Sequence, residues 1–151
     1  MAEDLDDIYN KIYRYCFYKV RNSAIAEDIT QEAFLKYFAQ NKILKRGEDM
    51  AYLYTIAKHL CIDFFRKRRD DALTGDYPQE DFCNNSDTKI AVREALERLA
   101  EQHKEILLLR YLSGLSANET AEIMEISRFK VYRLEKAALA EMKKYLKGAL
   151  D

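Results

Sequence analysis

The sequence predicts an all-α protein built as two small helical domains joined by a flexible acidic linker, the second domain containing a helix-turn-helix. Three observations lead there. Only four Gly and one Pro occur in 151 residues, too few for a turn-rich β architecture. Apolar residues recur every three or four positions through the first 70 residues and again after residue 89, the spacing of one helix face. Between these blocks, Asp70 to Asp87 holds six acids, no Lys or Arg and the single Pro, without periodicity. The expected organisation is therefore a domain over 1–70, a linker over 71–88 and a domain over 89–151. Each half is small enough that a partner would be needed to fix their relative motion.

In the first half, Leu5, Ile8, Tyr9, Ile12, Cys16 and Val20 mark one amphipathic helix, whose aromatics read as packing residues. Asn22 or Ser23 can cap a second helix running to about Asn41, with Ala26, Ile29, Ala33, Phe34, Tyr37 and Phe38 inward. On its other side Asp28, Gln31, Glu32 and Leu35 fall at i, i+3, i+4 and i+7, an acid and amide row ending in an exposed leucine. That arrangement suits a partner with basic side chains around a small apolar contact. Asn41 to Asp49 reads as a loop. A third helix begins near Asp49 or Met50, with Leu53, Ile56, Ala57, Leu60 and Phe64 inward. Lys58, His59, Ile62 and Arg66 fall on or near another face, with Tyr52, Tyr54 and Phe65 close by. This mixture suits phosphate contact and stacking on unpaired bases.

In the second half, helices are expected over Lys89 to Arg98 and Gln102 to Leu112, the latter with Ile106, Leu107, Leu109 and Leu112 available to the core. Ser113-Gly114 ends it. Ser116 and Glu119 form a capping box for a short helix carrying Ala121, Ile123 and Met124. Ser127 caps a long last helix with Val131, Leu134, Ala138, Met142 and Leu146 inward. Arg128, Phe129, Lys130, Tyr132, Arg133 and Lys136 are left outward or at the rim, as the second helix of a DNA-reading helix-turn-helix requires.

Net charge is -1, unevenly spread. Lys58 to Arg69 carries five Lys or Arg against one Asp, and Arg128 to Lys147 seven against two Glu. Two basic patches around an acidic connector suggest two contacts with a polyanion. Taken alone, Arg66-Lys-Arg-Arg69 also fits a solvated helix end favoured by the helix dipole. Cys16, Cys61 and Cys83 are odd in number, widely spaced and without a CxxC pair, so they read as reduced thiols. With only His59 and His103 as imidazoles, no metal site or other cofactor is expected. No nucleophile-base pair or phosphate-cradling glycine loop points to an enzyme. No run approaches the ~18 apolar residues of a membrane span, and the acidic start lacks the features of a secretory signal. A cytoplasmic protein without membrane insertion is expected.

These residues resemble the bacterial RNA polymerase sigma factors, in particular the small extracytoplasmic-function (ECF) group. Ala26-Glu-Asp-Ile-Thr-Gln-Glu-Ala-Phe-Leu35 is similar to the polymerase-binding helix of the second conserved region. Tyr52 to Arg66 is similar to the helix that melts and reads the minus-10 element, and Leu96 to Leu146 resembles the fourth region, which reads minus-35. The resemblance implies core RNA polymerase and promoter DNA as partners, with an anti-sigma factor as a further family expectation. It would place Asp28, Gln31, Glu32 and Leu35 on the polymerase clamp. Lys58, His59, Arg66, Lys67, Arg68 and Arg69 would lie along the minus-10 DNA, with the Lys42 to Gly47 loop near a flipped base. Arg128, Phe129, Lys130, Tyr132 and Arg133 would face the minus-35 groove. Departures are specific: His59 stands where the group has Asn, Phe129 replaces an acidic reader, Glu125 occupies a turn position that is often Gly, and Leu99-Ala100 replaces Leu-Pro. The chain would direct promoter-specific initiation without catalysis of its own. Two other readings fit parts of the sequence: a helix-turn-helix regulator acting without polymerase, and a helical interaction protein.

Overall fold

The computed structural model describes residues 5–40, 48–71, 77–80 and 87–150. Seven α-helices and no strand occur among them: α1 (Leu5–Val20), α2 (Ser23–Ala39), α3 (Glu48–Asp70), α4 (Asp87–Arg98), α5 (Glu101–Leu107), α6 (Ala117–Met124) and α7 (Arg128–Leu150). The chain divides into two compact units between Phe82 and Cys83.

In the first unit α1 packs on α2 and both pack on α3. The turn between α1 and α2 is short because Arg21 takes a left-handed conformation (φ 54°) and returns its N–H to the Phe17 carbonyl at 2.7 Å. Asn22 then caps α2, its side chain accepting from the Ile25 N–H at 3.0 Å, so Ser23 is the first helical residue. The core is made of Ile12, Tyr15, Cys16 and Val20 against Ala26, Ile29, Ala33 and Phe34, and Leu53, Tyr54, Ala57 and Cys61. Tyr15 and Tyr54 meet edge to face with centroids 5.5 Å apart, an arrangement aromatic quadrupoles favour. Cys16 and Cys61 are both buried and unpaired as disulfide. Their thiols adjoin, and the Cys61 hydrogen bond draws the Cys16 thiol below its usual range against the upward push of burial. Cys83 lies outside the described residues.

Three expectations are corrected here. Phe38 is 61% exposed. Its ring leans on Tyr37 at 5.4 Å and Phe34 at 6.1 Å, one residue from the end of α2. Tyr54, expected near a base-stacking face, is fully buried against Tyr15. The third correction concerns the linker. Tyr77–Glu80 lies against the first unit: the Tyr77 hydroxyl donates to the Val20 carbonyl, and the Glu80 N–H to the Arg21 carbonyl at 2.6 Å.

The second unit is built on α7, which contacts α4, α5 and α6. Leu99, Ile106, Leu107, Ala117, Val131 and Ala138 form its centre, with Leu96, Met124, Ile126, Leu134 and Met142 packed around. α5 does not end at Leu107 but widens into a π turn over Leu108–Leu112, where the Ser113 N–H reaches the Leu108 carbonyl at 3.0 Å. A π turn advances the helix through a smaller angle per residue than an α turn. Leu109 stays buried, while Leu112, three residues on, rotates out of register and is 46% exposed instead of joining the core. Arg110 braces this region, its Nε 3.3 Å from Glu135 Oε1 on α7 and its Nη1 2.9 Å from the Leu115 carbonyl.

Candidate polymerase and nucleic-acid interfaces

Three exposed helix faces carry the predicted residues. The first is on α2. Its inner side is the buried set Ala26, Ile29, Thr30, Ala33 and Phe34, which turns Asp28, Gln31, Glu32 and Leu35 outward together. Among the described residues their ties are loose: Glu32 Oε1 sits 3.9 Å from Lys36 Nζ and Gln31 Nε2 3.4 Å from Glu27. Leu35 is 71% exposed. Phe38, three residues beyond Leu35, enlarges this apolar spot, so the face is an acid and amide row around two apolar side chains. Sequence periodicity assigned Phe38 to the core; the signal available was its i+3 spacing from Leu35.

The second face is on α3. At about 100° per residue, the buried positions Ala57 and Cys61 and the half-buried Phe64 define an inner side. His59, Ile62, Arg66 and Arg69 fall at i, i+3, i+7 and i+10 on the outer side and all are exposed, with Phe65 exposed beside them. Lys58 is half-buried at the edge of this row. Arg66 keeps an intrahelical ion pair, its Nη2 3.1 Å from Asp63 Oδ1. Lys67 is exposed but lies round the helix from the row. Arg68 follows Ala57, Cys61 and Phe64 at 11, 7 and 4 residues, and so continues the inner side. Its guanidinium lies 4.5 Å from the Tyr77 ring and 5.7 Å from that of Phe64. The predicted set is therefore split: His59, Arg66 and Arg69 share a face, and Arg68 does not. The loop from Lys42 to Gly47 lies outside the described residues.

The third face is on α7. The capping box of α6 is complete, with the Glu119 N–H 3.0 Å from Ser116 Oγ and the Ser116 N–H 2.9 Å from Glu119 Oε1. The turn is closed by Glu125 in the left-handed region (φ 57°, ψ 45°), with the Ile126 N–H bonded to the Ala121 carbonyl at 3.0 Å. Ser127 Oγ then accepts from the Lys130 N–H at 3.1 Å and starts α7. With Val131, Glu135 and Ala138 buried, Arg128, Phe129, Tyr132, Arg133 and Lys136 come to one exposed face, while Lys130 sits half-buried at the rim. Phe129 is 74% exposed. Its ring lies 5.8 Å from the Arg128 guanidinium. A large exposed ring between cations is a poor choice for a solvated surface and a good one for a groove lined with base edges and phosphates.

The comparisons with known proteins decide the family. The profile described as Sigma-70 region 2 matches residues 5–70, and that described as Sigma-70, region 4 matches residues 95–144. The chain belongs to the RNA polymerase sigma factors, in the ECF group. Among curated sigma factors, BldN of Streptomyces coelicolor is 35% identical over 131 residues, 79% of this chain and 50% of BldN. This chain thus spans half the length of that relative. YlaC of Bacillus subtilis is 30% identical over 161 residues, covering 94% of this chain and 91% of YlaC. Among solved structures, the sigma factor RpoE of Bartonella quintana, crystallised with the anti-sigma factor NepR, superposes with a TM-score of 0.70 over 95% of this chain and 94% of that one at 21% identity. That likeness bears on the fold of this sigma factor. Both matched regions coincide with the units that carry the exposed faces. Among the described residues no group of His, Cys, Asp and Glu is arranged to hold a metal, and no helix is long and apolar enough to cross a membrane.

Proposed function

We propose that this sigma factor works as a two-contact promoter reader. The Asp28, Gln31, Glu32, Leu35 row, extended by Phe38, docks on core RNA polymerase. The outer row of α3, His59, Arg66 and Arg69 with Ile62 and Phe65, lies on minus-10 DNA, with Lys58 and Lys67 at its margins. Arg128, Phe129, Tyr132 and Arg133 on α7 enter the minus-35 major groove, with Lys130 at the groove edge. The observation carrying the reading is that an apolar-centred acidic face and a basic, aromatic face occupy different helices of one small unit. One surface is thus left for protein and one for nucleic acid. The chain supplies binding and positioning, and bond formation belongs to the polymerase. An anti-sigma protein is a further partner under this reading, and the cytoplasm is the compartment where it would act. The region 2 match weighs against a regulator working without polymerase, because such a protein has no use for the α2 face.

Retention of core polymerase on the immobilised protein tests the docking face. Leu35→Asp removes an exposed side chain, so its stability should change by less than ~0.5 kcal/mol, while retention should fall at least tenfold. Unchanged retention by the folded variant would refute the assignment.

A further inference from the structure

The basic end of α3 raises a physical difficulty. Arg66 is followed by Lys67, Arg68 and Arg69 in the last turn of the helix, where the helix dipole favours cations but repulsion between neighbours such as Arg66 and Arg69 at i, i+3 works against it and the last carbonyls lack intrahelical partners. The basic end does not face the solvent alone, however, because Tyr77–Glu80 returns across it. The Tyr77 ring packs on Phe64 with centroids 5.3 Å apart, Arg68 lies over both rings, and the Tyr77 hydroxyl is fixed by the Val20 carbonyl. Two residues on, the Asn22 side-chain amide donates to the Pro78 carbonyl at 2.9 Å. Glu80 then closes the return, accepting from the Ser23 N–H and hydroxyl at the start of α2. The segment is thus held on the α1–α2 turn at both of its ends, and its Tyr77 end ties that turn to the end of α3.

We propose that Tyr77–Glu80 is a clasp of the first unit and that Arg68 is a positioning residue: stacked on Phe64 and Tyr77, it serves the clasp, keeps the last turn of α3 helical, and leaves Arg66 and Arg69 as the cations that meet DNA. Charge counting along the sequence treats the four cations alike. Helix phase and the aromatic pair separate them. An Arg side chain suits this place because its planar guanidinium stacks on aromatic faces while remaining charged, which the ammonium of Lys does less well. The clasp also carries the contacts of the first unit as far as Glu80.

Two measurements on the full chain test this, and only one rests on the reading of α3 as a DNA face. The first is amide hydrogen exchange. Tyr77→Ala and Arg68→Ala should each speed exchange at least tenfold at Asp71, whose N–H closes the last turn of α3 at 3.0 Å from the Lys67 carbonyl, and at Ser23 and Glu80. Arg69→Ala should not. Unchanged exchange at these amides in Tyr77→Ala would overturn the clasp. The second is the salt dependence of binding to mixed-sequence duplex DNA. Arg68→Met keeps an unbranched chain against the rings and removes the charge, and it should leave the slope of log K against log salt unchanged. Arg69→Met should lower that slope by about one, the change expected for one lost phosphate contact. An equal loss in Arg68→Met would overturn the positioning role. If neither variant moved the slope, the DNA reading of α3 would fail, and exchange alone would decide the clasp.

Discussion

Glu125 closes the helix-turn-helix in a backbone region where an L side chain crowds its own carbonyl, at a cost of about 1–2 kcal/mol. Gly carries no such cost, although it adds freedom to the unfolded chain. Glu125→Gly should therefore stabilise the second unit by about 0.5–1 kcal/mol, seen as a higher urea midpoint at unchanged slope. No gain would mean that the Glu125 side chain compensates the strain by a contact of its own. At the opposite extreme of burial, Tyr54 fills the centre of the first unit against Tyr15. Tyr54→Ala should cost about 3–5 kcal/mol in chemical denaturation, far more than any change at its half-buried neighbour Tyr52. The sequence did contain the reason: Tyr54 precedes Ala57 and Cys61 by three and seven residues, on the inner phase of α3. Its aromatic character alone suggested a stacking role, and phase outranks residue type once the partner helix is known.

At the scale of elements, helix starts were the most legible feature, because caps are local chemistry. Asn22, Ser116 and Ser127 each accept a backbone N–H as their positions suggest. What periodicity does not show is how far a neighbouring element extends over a face, and Phe38 is exposed for that reason. Nor does it show a change of helical pitch. The π turn at Leu108–Leu112 is braced by Arg110 on Glu135 of α7 and on the Leu115 carbonyl, and no local motif announces it. Glu135 is nearly buried, so Arg110→Ala should destabilise by about 1–3 kcal/mol through the carboxylate left without its cation. A loss below 0.5 kcal/mol in thermal denaturation would show that Tyr111, whose hydroxyl hydrogen-bonds Glu135 and is thereby held above its usual pKa, satisfies that carboxylate by itself. On α7 the outward row read from the sequence is the exposed row observed, because a long helix with one strongly buried side leaves little choice of phase. Arg128→Ala and Arg133→Ala should each lower the salt slope of DNA binding by about one, measured by anisotropy over a range of KCl concentrations.

For the whole molecule, the division into two helical units was visible in the sequence, because composition changes sharply at Asp70. The attachment of Tyr77–Glu80 was not, since its bonds run to residues more than fifty positions earlier. Two readers on one chain gain from their connection. A short tether supplies an effective concentration in the millimolar range, so cutting the chain between Phe82 and Cys83 and mixing the halves at micromolar concentration should reduce promoter-specific initiation by roughly 10²-fold or more, scored as run-off transcript. Equal activity from the mixed halves would show that polymerase alone holds both readers in place.

Run-off transcription with sequenced starts, using core polymerase from the same source on fragmented genomic DNA, with and without this protein, shows whether it directs initiation at promoters. New starts preceded by a shared pair of upstream motifs at constant spacing are expected, and they should disappear with Leu35→Asp. No new start from core polymerase shown active with another sigma factor would contradict a promoter-directing role for this protein.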